Sequence, residues 1–484
     1  MKLVRQCKDT FIRKFGDIGY ITNQLTKHDR VYDDVGAIFL ERISREPQSV
    51  SCIVDALYPL FVGVDKETLH QDFVEFINDL EGDKFLVTGE SELDLNHREP
   101  AFSYQAANPK TITFNFAQQD RDRAYPDTTD FFYQYFKDSP TIFSLQMEVT
   151  SRCNERCIHC YIPHEEKTGD MELSLATDLM DQAREMGTVG LSLSGGELFL
   201  HSQIKEIISY ARRNDFMITI LSNATKVDRE LCLLLKEINI NFIQVSLYSM
   251  DAKEHDAITQ VDGSHTKTLR AIERLLDLDI PVQISCPVMK INLRSYREVL
   301  TWAYRHKIKA YTDFIMMART DFSTSNLEQR LNLQETEDLI KDIIEVDEMY
   351  TAILEQEPQS RDLEDYANQP VCGVGVDNIC VTADGEFYPC SGFQGYSLGS
   401  AYRQTLREVW ESSERIKFLR GITNASFPQC MECKARDYCA MCLVRNFNES
   451  GGDMFRINEH FCDVAFINKR LVEEYKQNKK AQTI

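Results

Sequence analysis

Over residues 1–95 the hydrophobic positions switch between two periods. Phe11-Ile-Arg-Lys-Phe and Ile18-Gly-Tyr-Ile-Thr-Asn-Gln-Leu-Thr read as strands around a Gly16-Asp17 turn signal, and Arg30-Val-Tyr-Asp as a short third strand. The spacing then becomes helical. Gly36–Ile43 carries Ile38, Phe39, Leu40 and Ile43; Val50–Phe61 carries Val54, Leu57, Leu60 and Phe61; Glu67–Leu80 carries Leu69, Phe73, Phe76, Ile77 and Leu80. Lys84-Phe-Leu-Val returns as a strand. Three strands and three helices predict a winged-helix-like unit. Residues 96–138, rich in Asn, Gln, Asp, Arg and Pro, read as a linker with one β-like run, Thr111-Ile-Thr-Phe-Asn-Phe.

A strand–helix rhythm occupies 139–330. The strand-like runs are Ile142–Val149, Val189–Leu193, Met217–Leu221, Phe242–Leu247, Val282–Val288 and Tyr311–Met317. Helical patterns between them carry Leu175, Leu179, Ala183 and Met186; Ile204, Ile207, Ile208 and Ala211; Leu231, Leu234, Leu235 and Ile238; and Leu269, Ile272, Leu275 and Leu276. Asp251-Ala-Lys-Glu254 has capping-box spacing. Such alternation predicts parallel strands joined by right-handed crossovers, and six units give a partial (β/α)6 barrel with ligands at the C-terminal strand ends. Residues 331–370 read as acidic bridging helices. Residues 371–470 are cysteine-rich and turn-rich with few periodic elements, so metal rather than a large core is expected to fix them. Residues 471–484 read as a frayed tail. The fold class is therefore α/β, with smaller units at either end.

Composition narrows the picture. The chain has 484 residues, 43% of them hydrophobic, enough for a large core, and a formal net charge of −22. That charge argues against nucleic-acid binding, which leaves a basic footprint. The first residues show no signal-peptide run, and no stretch nears the ~18 apolar residues of a membrane span. A cytoplasmic, reducing location without membrane contact is expected, where the 15 cysteines favour metal over disulfides. Cys7, Cys52, Cys232 and Cys286 stand apart and read as ordinary thiols.

The candidate chemistry centres on Cys153-x-x-x-Cys157-x-x-Cys160, which follows the first barrel strand. Three thiolates from one loop can hold three irons of a [4Fe–4S] cluster and leave the fourth iron open. A zinc knuckle using His159 is the alternative. Ser194-Gly195-Gly196-Glu197 ends the second strand; its glycines permit close backbone approach, and its carboxylate can take an ammonium group.

Together the two motifs resemble the radical S-adenosylmethionine (SAM) superfamily, over about 140–320. The resemblance implies that the open iron chelates SAM and that reductive cleavage gives a 5′-deoxyadenosyl radical. It also implies an electron donor such as flavodoxin or ferredoxin. His159 and Tyr161 would lie near adenine; Ser222, Asn223, Ser246 and Tyr248 would meet ribose or the methionine carboxylate; Val288 and Asn292 fit an adenine-side position. Farther on, Cys372, Gly385-x-x-x-x-Cys390, Cys430-x-x-Cys433-x-x-x-x-x-Cys439-x-x-Cys442 and Cys462 resemble the SPASM extension of peptide-modifying members of that superfamily, which binds two auxiliary [4Fe–4S] clusters. By resemblance, Cys430, Cys433, Cys439 and Cys462 hold one. Cys372, Cys390 and Cys442 hold the other, with Cys380 as candidate fourth ligand; without Cys380, an iron stays open to a substrate thiolate. The gap from Cys439 to Cys442 is two residues where the family has three. With both matches in place, residues 1–95 resemble a RiPP recognition element, in which the leader of a ribosomal precursor peptide would pair with the edge strand near Arg30–Asp33 and pack on the helix at 67–80.

The expected function is a radical SAM peptide maturase forming a Cys sulfur-to-carbon thioether in a precursor peptide. Carbon–carbon or carbon–oxygen linkage, epimerisation, sulfatase-maturase-like oxidation of a protein Cys or Ser, and a non-catalytic scaffold are the alternatives.

Overall fold

The computed structural model describes residues 2–100, 128–166, 169–346, 363–439 and 441–482. The N-terminal unit holds two small sheets. β1 (Leu3–Gln6) lies between β5 (Gln48–Ser49) and β6 (Leu86–Gly89), antiparallel to both. β2 (Thr10–Phe15), β3 (Ile18–Asn23) and β4 (His28–Tyr32) form a meander. Helices Asp34–Glu41, Val50–Leu57 and Lys66–Gly82 pack Phe39, Leu40, Ile53, Phe73 and Ile77 into a core with Val4 and Ile21. Asp65 caps the third helix by accepting from the N–H groups of Glu67 and Thr68. β1 and β5 escape the sequence pattern because β1 is short and half polar and β5 is only the two polar residues Gln48 and Ser49.

The barrel strands run parallel: β7 (Ser144–Thr150), β8 (Gly190–Gly195), β9 (Met217–Ser222), β10 (Phe242–Ser246), β11 (Val282–Pro287) and β12 (Lys309–Asp313). Helices Leu173–Glu185, Ile204–Arg213, Arg229–Ile238, Ser264–Asp277 and Tyr296–Arg305 bury apolar stripes against them. An additional helix, Ala252–Thr259, follows β10. Its start departs from the expected reciprocal box. Asp251 accepts from the Glu254 N–H, but the Glu254 carboxylate accepts from Ser295 Oγ, and the Asp251 N–H donates to Ser249 Oγ. β12 also differs from the expected Tyr311–Met317. It ends at Asp313, and Met316 leaves the sheet to pack with Tyr248, Ile258 and Met289 beside Cys157.

The cysteine-rich region extends the same sheet. β13 (Asn378–Val381) pairs parallel with β7, and β14 (Glu386–Tyr388) and β15 (Gly399–Ser400) follow antiparallel, completing nine strands. Phe387, Phe393, Leu406, Val409, Trp410 and Ile416 join the barrel core. Packing as well as any metal therefore fixes this region, contrary to the expectation from its weak periodicity. Helices Leu333–Val346 and Leu363–Asn368 occupy part of the bridge. The tail expected to fray is the end of helix Glu459–Gln482.

The β-like run at Thr111 lies outside the described residues, but the expected linker contains helix Thr128–Asp138. Its Phe132 and Phe136 pack with Phe15, Tyr20 and Phe143, seating the meander on the barrel floor. The buried Arg13 fastens that contact: its guanidinium donates to the carbonyls of Thr188, Asn214 and Asp215, just before β8 and β9. Arg45 pairs with Asp215 at 2.7 Å. The N-terminal unit thus grips the end of the barrel opposite the strands' C-terminal ends.

Candidate functional site

β7 and β8 deliver the cysteine loop and the Gly-Gly-Glu turn to one place. The Gly196 N–H donates to Thr150 O at 2.9 Å, and the Glu197 N–H to Arg152 O at 2.8 Å. A Cβ on Gly195, whose φ is +145°, would stand 2.1 Å from Thr150 O, and one on Gly196 2.4 Å from Arg152 O. The glycines thus make room for the loop's own backbone. Arg152 holds the loop from outside, donating to Asp170 at 2.8 and 2.5 Å and to Leu200 O at 2.8 Å. Beyond it, the Arg156 N–H donates to Thr259 O at 2.9 Å, the Ile158 N–H to Ile258 O at 3.0 Å, and Asn154 Nδ2 to Thr225 Oγ1 at 2.9 Å. Cys153, Cys157 and Cys160 are partly exposed on this anchored loop.

Glu197 is buried, and its carboxylate accepts from Ser222 Oγ at 2.8 and 3.0 Å, the Asn223 N–H at 2.8 Å and the Phe199 N–H at 3.1 Å. Burial pushes its carboxyl up to about 7, against those hydrogen bonds. The Ser222 hydroxyl is therefore engaged on Glu197. The Asn223 side chain is engaged too, donating to Asn154 at 3.3 Å and accepting from the Thr225 N–H at 3.0 Å. Both tie β9 to the loop.

Behind the cysteines stands a set of rings. The His159 ring lies 4.9 Å from that of Tyr248, edge-on, and Tyr248 Oη is 4.0 Å from Cys157 Sγ. Ser246 hydrogen-bonds Tyr248. Tyr248 also packs on His255, which burial and then His265 push down to about 4. Asn292, fully buried, donates to Tyr248 O at 2.8 Å and Pro287 O at 3.0 Å and accepts from the Met289 N–H at 2.7 Å. Val288 is a core residue. Asn292 and Val288 thus brace the wall that carries Tyr248.

The remaining thiols fall into two groups. Cys430 is pushed up to about 11, by burial first and then by Cys439, Cys462 and Cys433. Cys372 is pushed up to about 12 by burial, with Cys442 and Cys390 adding. Cys442 and Cys390 thus act electrostatically on Cys372, across the shortened gap. Cys380, on β13, is buried; burial raises its thiol well above the usual range, with Glu148 and Cys390 adding. Among the described residues, no three His, Cys, Asp or Glu side chains stand together closely enough to hold a metal ion.

One cluster of side chains was not anticipated. On β7, Leu145, Met147 and Val149 enter the core, so Gln146 and Glu148 point to the other face, the barrel interior. Gln146 Nε2 donates to Ser194 Oγ at 3.1 Å, and Gln394 Nε2 to the Glu148 carboxylate at 3.1 and 3.3 Å. The Tyr161 hydroxyl is held near Glu148, Ser391, Cys160 and Cys380; burial, then Glu148, raises its pKa. Tyr161 thus sits between the thiol groups. The signal was there in two polar residues alternating along an otherwise apolar strand.

Comparison with known proteins agrees with this layout. The Radical SAM superfamily matches residues 147–303, and an iron–sulfur cluster-binding domain, SPASM, matches 372–434. The chain carries both domains. It is 26% identical over 317 residues to the antilisterial bacteriocin subtilosin biosynthesis protein AlbA of Bacillus subtilis (strain 168), covering 63% of this chain and 67% of that protein. It is 25% identical over 322 residues to an AdoMet-dependent heme synthase of Methanosarcina barkeri (strain Fusaro / DSM 804), covering 63% and 92%. Its fold is that of Streptococcus suis SuiB bound to precursor peptide SuiA, with a TM-score of 0.63 at 15% identity, covering 94% of this chain and 99% of that one.

Proposed function

We propose that this protein is a radical SAM peptide maturase that modifies a ribosomal precursor peptide, by a Cys sulfur-to-carbon thioether. The observation that carries the reading is convergence. The three-cysteine loop, the Gly-Gly-Glu turn and the Cys372–Cys390–Cys442 group meet around one polar interior that contains Glu148, Tyr161 and Cys380. Likeness to AlbA and to the fold of SuiB supports a peptide substrate over a tetrapyrrole.

Cys153, Cys157 and Cys160 would hold a SAM-binding cluster. Cys430, Cys433, Cys439 and Cys462 would hold one auxiliary cluster, and Cys372, Cys390 and Cys442 another. When bound, these groups supply a carbon radical that removes a substrate hydrogen atom and an acceptor for the electron released. The chain's own residues do the rest. Glu197, ionised, balances the ammonium of SAM at the end of β8. Tyr248 and Asn292 hold the adenine-side wall. Glu148, oriented by Gln394, takes the proton that a substrate thiol gives up when its sulfur bonds to carbon. The interior excludes bulk water, so the radical meets the intended C–H bond.

The N-terminal unit would read the leader by strand addition at the open edge of β4. Arg30 of β4 already pairs with Asp79 and Asp83 of the neighbouring helix, so a leader would dock over an ion-paired floor. The test is turnover of full-length and leaderless precursor by the whole protein and by a variant lacking 1–95. Loss of turnover on the full-length precursor in the truncated variant supports the reading. Equal turnover of the leaderless peptide by both proteins argues for a sulfatase-maturase-like enzyme instead.

A further inference from the structure

The side of the cysteine loop that faces away from the barrel interior carries a collar of cations on an otherwise acidic chain. Three segments meet there: the loop itself, the turn after β9, and the start of helix Ser264–Asp277. Asn154 bonds Thr225 at 2.9 Å and Thr268 Oγ1 bonds Asn223 O at 3.0 Å; the Arg156 N–H donates to Thr259 O at 2.9 Å, and Thr259 at the end of helix Ala252–Thr259 bonds Ser264 Oγ at 2.7 Å. Arg156, Lys226, Lys267 and Arg270 are exposed on these segments, and none makes an ion pair among the described residues. Some exposed cations elsewhere are neutralised: Lys205 by Glu230, Arg407 by Glu411, Lys417 by Glu414. Asp262 and Asp228 are the exposed acids on the same segments, and Asp228 is engaged as the helix cap of Leu231. Arg156 also donates to the carbonyls of Cys153 and Glu155, at 2.8 and 2.9 Å, which ties the collar to the loop backbone.

We infer that this collar is the docking surface for an acidic one-electron carrier protein. The inference rests on the proposed function, which needs one electron delivered to the cluster on this loop for each SAM cleaved. In the step, the carrier's reduced centre loses one electron and the cysteine-held cluster gains it; no bond or proton moves. Electron transfer weakens steeply with distance, so the donor must sit where the loop comes nearest solvent, and Arg156, exposed between Cys153 and Cys157, marks that place. A chain of net charge −22 repels an acidic carrier over most of its surface. Four unpaired cations at this one rim reverse the local sign and orient the encounter.

The probe is a purified acidic flavodoxin, and the protein is the reconstituted full chain. Its binding would be measured by surface plasmon resonance at low and high salt for the parent and for K226E/K267E/R270E, which leaves Arg156 and the loop intact. The expected result is a Kd at least about tenfold higher for the variant, with its salt dependence lost. Dithionite-driven SAM cleavage should match that of the parent. The milder K226Q/K267Q/R270Q variant should fall between the two and guards against misfolding of the reversal. An unchanged flavodoxin Kd in both variants overturns the inference. So does a matching loss of affinity for the precursor peptide, which would make the collar a peptide surface. Failure of the parent to cleave SAM with dithionite would count against the proposed function rather than against the docking site.

Discussion

The backbone N–H of Glu197 donates to the carbonyl oxygen of Arg152 at 2.8 Å, joining the Gly-Gly-Glu turn directly to the residue before Cys153. Cluster loop and cofactor turn are one hydrogen-bonded unit, and disturbing either end should disturb both.

The glycines make that unit possible. In Gly196→Ala, the added methyl would meet Arg152 O at 2.4 Å and Ser151 O at 2.5 Å, both backbone atoms that cannot rotate away. We expect a loss of about 1–3 kcal/mol in stability from overpacking. Iron bound by the loop and SAM cleavage should fall together. Thermal unfolding alongside iron and sulfide assays of a variant lacking the auxiliary cysteines measures both.

The role proposed for Glu197 makes SAM affinity depend on pH. Burial raises its folded pKa from 4.5 to about 7. Below that value the carboxyl is protonated and offers no charge to the SAM ammonium, so affinity should rise as pH climbs through about 7 and then level. Calorimetric titrations of SAM from pH 6 to 8 test this, and Glu197→Gln should flatten the curve. For folding the sign is opposite. With its folded pKa above the unfolded one, the group's contribution is fully present below pH 4.5 and is lost as pH rises through about 7.

Cys442 and Cys380 should behave differently. Cys442 and Cys390 are the thiols that act on Cys372, while the neighbour that most affects Cys380 is Glu148 in the barrel interior. We expect Cys442→Ser to lose about one cluster's worth of iron, roughly four per chain. Cys380→Ser should keep its iron but change how the substrate reacts. Iron counting with Mössbauer spectra separates the two. Iron loss in Cys380→Ser would make it the fourth ligand.

Glu148→Gln keeps the shape of the interior but removes the base. SAM cleavage to 5′-deoxyadenosine should proceed, while conversion of the peptide falls by about 10²-fold. Equal falls in both would assign Glu148 to SAM binding instead.

The barrel was legible because its strands alternate with amphipathic helices and are almost wholly apolar on their helix-facing side, as Leu145, Met147 and Val149 illustrate. The candidate cysteines and the Gly-Gly-Glu turn stood out by spacing. What spacing hid was contact. β13 is four residues inside a cysteine-rich stretch, and only its parallel pairing with β7 reveals it as a barrel strand. Ser222 and Asn292 carry the right groups at the right strand ends, yet their hydrogen bonds run to Glu197 and to Tyr248 O, partners distant in sequence. At Gly195 and Gly196 the nearest atoms belong to Thr150 and Arg152, a close approach within the chain that spacing does not show.

The most direct test of the central claim is mass spectrometry of a cysteine-containing precursor peptide after incubation with the reconstituted protein, SAM and reductant. The account predicts loss of two hydrogens from the peptide for each new bond, one free thiol fewer by alkylation, and one 5′-deoxyadenosine released per bond. A peptide of unchanged mass, with or without deuterium gained at a Cα from heavy water, would contradict the thioether. Absence of 5′-deoxyadenosine altogether would contradict radical SAM chemistry in this chain.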